Sequence, residues 1–240
     1  MSFISKIIFK YLIPIDFKRE MKKSALQKKI EENILEETYN YFQKKFKTSL
    51  LLETKNDVRK YSINKAIENY NPGDFFLEFG CYKGTSANFF SNYLKTKLYT
   101  FDSFEGLSED WIGREYSKGY FNLNKKIPKL NSNVEPVVGW VEDTLDDFLK
   151  KHNPKIRFLH MDLDTYSPTR FTLQKIKPYL EKNSFILFDD FFNFFGWDEG
   201  EFKALNETFN ENEYEYKAFN IGKKYTKTMF ECNNCLIKIK

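Results

Sequence analysis

The chain has 240 residues, 41% hydrophobic and 18% aromatic, with 26 Phe and 15 Tyr. That is core material for one large domain, or one domain plus an arm, and it excludes a disordered chain. With 38 Lys and Arg against 34 Asp and Glu the net charge is +4, short of the signature of a dedicated nucleic-acid binder. Three cysteines, an odd number, argue against a disulfide framework and for a reducing, cytoplasmic compartment.

The most apolar N-terminal stretch, residues 7–15, is interrupted by Lys10 and Pro14. It is too short to span a bilayer and has no signal-peptide cleavage pattern. It is expected to pack on its own domain, with weak surface association through residues 1–15 or a homodimer contact as alternatives. Residues 1–70 carry long charged, glycine-free runs that read as a helical arm or lid, with Leu26, Ile30 and Ile34 on one face. Asn71-Pro72-Gly73-Asp74 is a turn. Beyond it, over residues 71–240, short apolar runs alternate with helical patterns, the signature of a βαβ parallel-sheet domain.

Strands are expected at residues 75–79, 98–101, 135–139, 156–162 and 185–189. The intervening helices cover residues 85–94, a segment capped by Asp143 or Thr144 and ended by Pro154, and a segment opened by Ser167 and Pro168 with Leu173, Ile176 and Leu180 inward. A last helix over residues 198–209 turns Phe202, Leu205 and Phe209 inward, and residues 214–219 and 225–240 form a closing antiparallel pair. Residues 103–133 form a polar, aromatic-rich connection.

Three constellations carry chemistry. Gly80 and Gly84 punctuate the turn after the first strand, where backbone can approach a ligand and a helix N-terminus favours negative charge. The spacing is G-x-x-x-G, not the dinucleotide G-x-G-x-x-G. Asp102 ends the second strand about twenty residues on, where an acidic residue accepts from ribose hydroxyls; a helix-capping Asp is the alternative. Asp162, Asp164, Asp189 and Asp190 crowd two adjacent strand ends. Strands lie about 4.8 Å apart, so these carboxylates can converge. A hard divalent cation is the simplest compensation for their repulsion, and Asp162 or Asp164 is the candidate base for a hydroxyl proton.

Four blocks occur in order: Glu78-Phe79-Gly80-Cys81-Tyr82-Lys83-Gly84-Thr85-Ser86, Phe101-Asp102-Ser103-Phe104-Glu105-Gly106-Leu107, Gly139-Trp140-Val141-Glu142-Asp143-Thr144-Leu145, and His160-Met161-Asp162-Leu163-Asp164-Thr165-Tyr166-Ser167-Pro168-Thr169. Together, over residues 53–219, they resemble the class I S-adenosylmethionine (SAM)-dependent O-methyltransferases of the macrocin type. The resemblance implies a Rossmann-like α/β fold with a seven-stranded, mostly parallel sheet flanked by helices, its last strand reversed. It places Glu78, Gly80, Gly84, Thr85 and Ser86 around the methionine half of SAM, and Asp102 and Ser103 at the ribose. By the same resemblance Gly139, Trp140 and Asp143 would fall near the adenine, and Asp162, Asp189 and Asp190 would hold Mg²⁺. The catechol-type lysine is missing, Thr165 standing in its place, and Lys182-Asn183-Ser184 replaces the usual Pro-Gly-Gly turn.

The implied function is methyl transfer from SAM to a hydroxyl of a small oxygen-rich acceptor, a sugar, nucleotide sugar or sugar-bearing metabolite, with no nucleic-acid partner. The rivals are an RNA-binding or RNA-modifying protein and a non-catalytic SAM-binding scaffold. His160 reads as a core histidine and His152 as a surface residue. Cys232 and Cys235 read as strand cysteines, and residues 191–197 as aromatic anchors of the core. Arg59 and Tyr61 are candidates for ligand approach from the arm.

Overall fold

The computed structural model describes residues 23–68, 70–222 and 233–240; the stretch 7–15 and Cys232 lie outside them. The strands are β1 (Leu50–Leu52), β2 (Asp74–Phe79), β3 (Leu98–Asp102), β4 (Val134–Val138), β5 (Lys155–Met161), β6 (Leu180–Phe188), β7 (Tyr214–Asn220) and β8 (Cys235–Ile239). The helices are α1 (Ala25–Phe46), α2 (Lys55–Ile67), α3 (Thr85–Ser91), α4 (Val141–His152), α5 (Tyr166–Ile176) and α6 (Glu201–Thr208). One sheet takes the order β1-β7-β8-β6-β5-β2-β3-β4. Among the described strands only β8 is reversed, antiparallel to both β6 and β7. The fold is a Rossmann-like α/β sheet flanked by helices.

The seven expected strands correspond to β2 to β8; of the last, expected over residues 225–240, residues 225–232 lie outside the described ones. An eighth, β1, pairs in parallel with β7 at the sheet edge; three leucines between charged helices carry no alternation from which to read a strand. The composition shift near residue 70 is not an edge of the packed structure, because β1 joins the sheet and α2 buries Val58, Ile63 and Ala66 against it.

Side-chain alternation along each strand divides the core into two layers. Leu77, Phe79, Leu159, Met161, Ile186 and Phe188 face one layer, and Phe76, Phe158, Phe185 and Leu187 the other. Helix α1 begins at a capping box: Ser24 Oγ accepts from Gln27 N–H, and Gln27 Oε1 accepts from Ser24 N–H. Its packed face is Ile34, Thr38 and Phe42; of the expected stripe Ile34 is buried, whereas Leu26 is 70% and Ile30 38% exposed. Only the later turns reach the domain, where Phe42 meets Phe191, Phe192, Trp197 and Phe219.

Three helix starts differ from expectation. Helix α4 begins at Val141, ahead of both Asp143 and Thr144, and Thr144 Oγ1 donates to Trp140 O instead of capping. Glu142 and Asp143 lie in its first turn, and Lys150, Lys151 and His152 in its last, matching the helix dipole at both ends. Helix α5 starts at Tyr166, and Ser167 N–H is met by Glu109 Oε1 from the 103–133 connection, 2.8 Å away. Gly200 separates a 3₁₀ turn (Trp197–Glu199) from α6.

Candidate active site

A cavity of about 390 Å³ opens at the carboxyl ends of β2 to β6, the ligand position of open α/β sheets. Each strand delivers a residue at or just past its end: Gly80, Asp102, Gly139, Asp162 and Asp189. Of the expected nucleotide residues, Gly80, Asp102, Ser103, Gly139 and Trp140 line the wall. Glu78, Gly84, Thr85, Ser86 and Asp143 lie outside it. Glu78 is wholly buried, Gly84 to Ser86 form the start of α3, and Asp143 lines a separate groove with Tyr99 and Glu135.

Gly80 has φ +90°, and a Cβ there would stand 1.8 Å from the carbonyl oxygen of Asp162. Only glycine lets β2 and β5 end side by side. The turn that follows is fixed by Asp102. Its Oδ2 accepts from the N–H groups of Cys81 (2.8 Å) and Tyr82 (2.7 Å), and its Oδ1 from Phe104 N–H (2.6 Å). Four lone-pair sites serve a carboxylate, so one remains for a ligand hydroxyl. Burial pushes the neighbouring Cys81 thiol up to about 12, which keeps it inert.

Beneath the cavity runs a buried polar row set by strand register, since Glu78 stands opposite Thr100 on β3 and opposite His160 on β5. Thr100 Oγ1 donates to Glu78 Oε2 at 2.7 Å. His160 Nδ1 lies 3.1 Å from Glu78 Oε1, and its Nε2 3.3 Å from Asp189 Oδ1. Burial alone would lower the imidazole's pKa, but the bonds to Asp189 and Glu78 raise it to about 9. His160 is therefore a core cation that donates to both carboxylates.

Asp189 takes further partners: Lys55 Nζ at 2.5 Å, Arg59 Nη2 at 3.1 Å and Asn234 Nδ2 at 2.9 Å. Against the cost of burial, Lys55 and Arg59 hold its carboxyl well below the usual range. Arg59 thus reaches the site through Asp189, and Tyr61 packs in the second core layer. The cluster around it is less well compensated. Burial and the charge of Asp189 push Asp162 up to about 7; burial and Asp162 raise Asp164 well above an ordinary carboxyl. Asp190 accepts from Arg114 Nη2 (3.2 Å) and Asn233 Nδ2 (2.5 Å), yet burial and Asp189 still lift it to about 6. Glu201, wholly buried, accepts from Asp190 N–H through Oε2 and leaves Oε1 without a partner.

Among the described residues two groups bring potential ligand atoms within 4.8 Å of one another: His160 with Asp162 and Asp189, and Asp162 with Asp164 and Asp190. Asp162 and Asp164 do not converge by strand alternation. Strand β5 ends at Met161, and Asp164 turns back in the left-handed region at φ 63°. The first group is already joined internally through His160, so the second is the set a hard cation suits.

The 103–133 connection is an ordered roof without helix or strand. Leu107 N–H donates to Tyr120 O, Gly119 N–H to Leu107 O and Trp111 N–H to Tyr116 O. It presents Trp111, Tyr116, Phe121 and Arg114 to the cavity, and Arg114 lies 4.3 Å from the Phe194 ring centre. Phe191, Phe192, Phe194 and Trp197 are buried anchors, whereas Phe195 is 61% exposed. Lys55, Trp111, Arg114, Glu201, Asn233 and Asn234 are site residues that no sequence motif marked. Among the described residues no helix is long and apolar enough to cross a membrane.

Residues 77–191 match the family model of a methyltransferase domain. Among solved structures, the chain is similar to the calicheamicin methyltransferase CalS11, at 17% identity and TM-score 0.55, over 98% of this chain and 89% of that one. An apo structure of CalS11, described as a TDP-rhamnose 3'-O-methyltransferase, matches at 15% identity and TM-score 0.52, over 90% and 95%. The O-methyltransferase NovP matches at 18% identity and TM-score 0.55, over 77% and 79%. No curated protein matches the chain in sequence. The shared fold is that of class I methyltransferases, and with the domain match it supports an enzyme.

Proposed function

We propose that the protein transfers the methyl group of SAM to a hydroxyl of a small, oxygen-rich acceptor, a sugar or sugar-bearing metabolite, as macrocin-type O-methyltransferases do. The observation that carries this reading is one cavity holding a glycine turn, a strand-end Asp102 and an undercompensated carboxylate cluster. Gly80, Asp102, Ser103, Gly139 and Trp140 would hold the donor, with Asp102 using its remaining lone pair on a ribose hydroxyl. The acceptor oxygen forms its new bond to carbon as the donor's carbon–sulfur bond breaks, and Asp162, poised near neutrality, takes the hydroxyl proton. Holding oxygen, methyl carbon and sulfur in line supplies several kcal/mol of the barrier reduction, on the order seen for positioned reactants.

The donor set fits a divalent cation. Asp162, Asp164 and Asp190 offer oxygens within 4.8 Å, and the buried Glu201, bonded to Asp190 N–H, leaves its Oε1 without a partner. Mg²⁺ bound there would favour the ionised form of the acceptor hydroxyl. Asp189 is better read as the anchor for Lys55 and Arg59. Incubation with labelled SAM and a panel of glycosides, with and without Mg²⁺, tests the proposal. Formation of S-adenosylhomocysteine with a methylated product supports it. SAM binding without turnover on any acceptor would indicate a scaffold, and NAD binding without SAM binding would overturn the reading.

A further inference from the structure

The reversed strand brings a further set of polar groups to the aspartates. Strand β8 runs antiparallel to β6 with Cys235 opposite Phe188, so the two residues before β8 lie beside the two after β6. Asn234 Nδ2 donates to Asp189 O (2.8 Å) and Oδ1 (2.9 Å), and Asn233 Nδ2 to Asp190 Oδ1 (2.5 Å). Both asparagines are buried. The main chain of the aspartates is held as well: Asp189 N–H donates to Met161 O, Asp190 N–H to Glu201 Oε2 and Phe191 N–H to Asn233 O. What is left to set in each aspartate is the side-chain torsion, and the asparagines act on that.

The two carboxylates end in different states. Asp189 has both oxygens occupied, Oδ1 by Arg59, His160 and Asn234, and Oδ2 by Lys55. Asp190 has one. Arg114 and Asn233 both donate to its Oδ1 and fill the two lone pairs of that atom. Its Oδ2 takes no hydrogen bond among the described residues, and Asp190 lines the main cavity. Asn233 makes its bond at a penalty, since its own Oδ1 is buried without a partner among the described residues. An apolar side chain would fill the space without that penalty. We propose that Asn233 is a positioning residue: with Arg114 it fixes one oxygen of Asp190 so that the other faces Asp162 and Asp164, while Asn234 helps to close Asp189 to ligands. Outer contacts of this kind orient the ligands of metal sites. Resting on the divalent-cation reading, the inference explains why one of two successive aspartates joins the donor set and the other does not.

Titration of the whole chain with Mn²⁺, followed by electron paramagnetic resonance, tests this without an acceptor or turnover. Asn233 is neutral, so replacing it changes no charge in the site, and a change in affinity reports on orientation. Asn233→Leu, and Asn233→Ala as a smaller replacement, should each lower Mn²⁺ affinity about tenfold or more, the range for residues that orient metal ligands. Asn234→Leu should change that affinity far less while lowering the urea midpoint. In an Asp190→Asn background Asn233→Leu should add little, because its effect runs through Asp190. Circular dichroism and urea denaturation on the same samples establish that each variant is folded. Equal losses of Mn²⁺ affinity in Asn233 and Asn234 variants of matched stability would make the effect structural and overturn the inference. Wild-type affinity in folded Asn233→Leu and Asn233→Ala overturns it too, and leaves the cation reading standing. Absence of Mn²⁺ binding by the wild-type protein overturns both.

Discussion

Lys55, the first residue of α2, places its ammonium 2.5 Å from the carboxylate of Asp189, the first residue beyond β6 and 134 positions away. Thr54 sets this up. Its hydroxyl caps α2 by accepting from Asp57 N–H and donating to Asp57 Oδ2, which fixes the first turn against the cavity rim. Burial alone would make the ammonium easier to deprotonate, but Asp189 and Asp190 raise its pKa above that of a free lysine. Lys55 is thus a fixed cation, not the lysine base of the catechol-type enzymes, and it couples the N-terminal helices to the site.

The Arg59–Asp189 pair should behave as a buried unit, because the side chains are 10% and 4% exposed. Arg59→Met is expected to cost about 3 kcal/mol of unfolding free energy, the lower end for removing one partner of a buried pair. Lys55→Met, at a more exposed position, should cost less. Urea denaturation measures both. In a double-mutant cycle, Arg59→Met with Asp189→Asn should lose less than the sum of the single losses.

Which parts of this site could be read from the sequence follows from distance along the chain. The glycine turn, Asp102 and the strand-end aspartates sit where a βαβ chain must place them, at carboxyl ends, so local alternation of strand and helix locates them. Lys55, Arg114 and Asn234 reach the aspartates across 134, 76 and 45 positions, and no local pattern encodes such contacts. Cys232 and Cys235 drew attention as a pair, while the two asparagines between them hold Asp190 and Asp189. Helix starts failed for the same reason. Ser167 has the chemistry of a cap, but Glu109, 58 positions earlier, takes its N–H.

His160 gives the fold a pH dependence of definite sign. Its pKa is about 9 in the folded protein, against an ordinary 6.5. A raised pKa means stabilisation that is complete below the unfolded value and lost as pH rises through the folded one. Stability should therefore fall between about pH 6.5 and pH 9, by roughly 2–3 kcal/mol from this group. Denaturation midpoints across that range should show the slope in the wild type. His160→Gln, which keeps one donor, should flatten it; an unchanged slope in that variant would assign the effect elsewhere.

Gly80→Ala tests the turn, and Asp102→Ala the carboxylate that fixes it. An alanine Cβ at 1.8 Å from Asp162 O must push β2 and β5 apart at their ends, so SAM binding should fall below detection in calorimetry while the protein stays folded. Asp102→Ala should weaken SAM binding by about 1.5–3 kcal/mol, the range for a charge-assisted hydrogen bond. It should also speed hydrogen exchange at Cys81 and Tyr82, whose N–H groups it accepts. Exchange that changes without loss of SAM affinity would make Asp102 a turn residue only.

The metal assignment distinguishes neighbouring aspartates. Asp162, Asp164 and Asp190 form the less compensated cluster, with Arg114 paired to Asp190, whereas Asp189 is satisfied by Lys55, Arg59, His160 and Asn234. Hard cations bind proteins through several anionic oxygens. Asp162→Asn and Asp164→Asn should therefore each lower Mn²⁺ affinity by about tenfold or more, the equivalent of one lost charged ligand bond, while SAM affinity changes little. Asp189→Asn should instead leave Mn²⁺ affinity close to wild type and lower the unfolding free energy, because its loss strands Arg59 and His160 as buried cations and unpairs Lys55. Electron paramagnetic resonance titration of Mn²⁺ reads the first effect, and urea denaturation the second. Chelation should abolish turnover, and Mg²⁺ or Mn²⁺ should restore it. Full activity in excess chelator would remove the cation from the reaction and leave Asp162 as a simple base. Loss of Mn²⁺ binding in Asp189→Asn with unchanged stability would return Asp189 to the ligand set in place of Asp164.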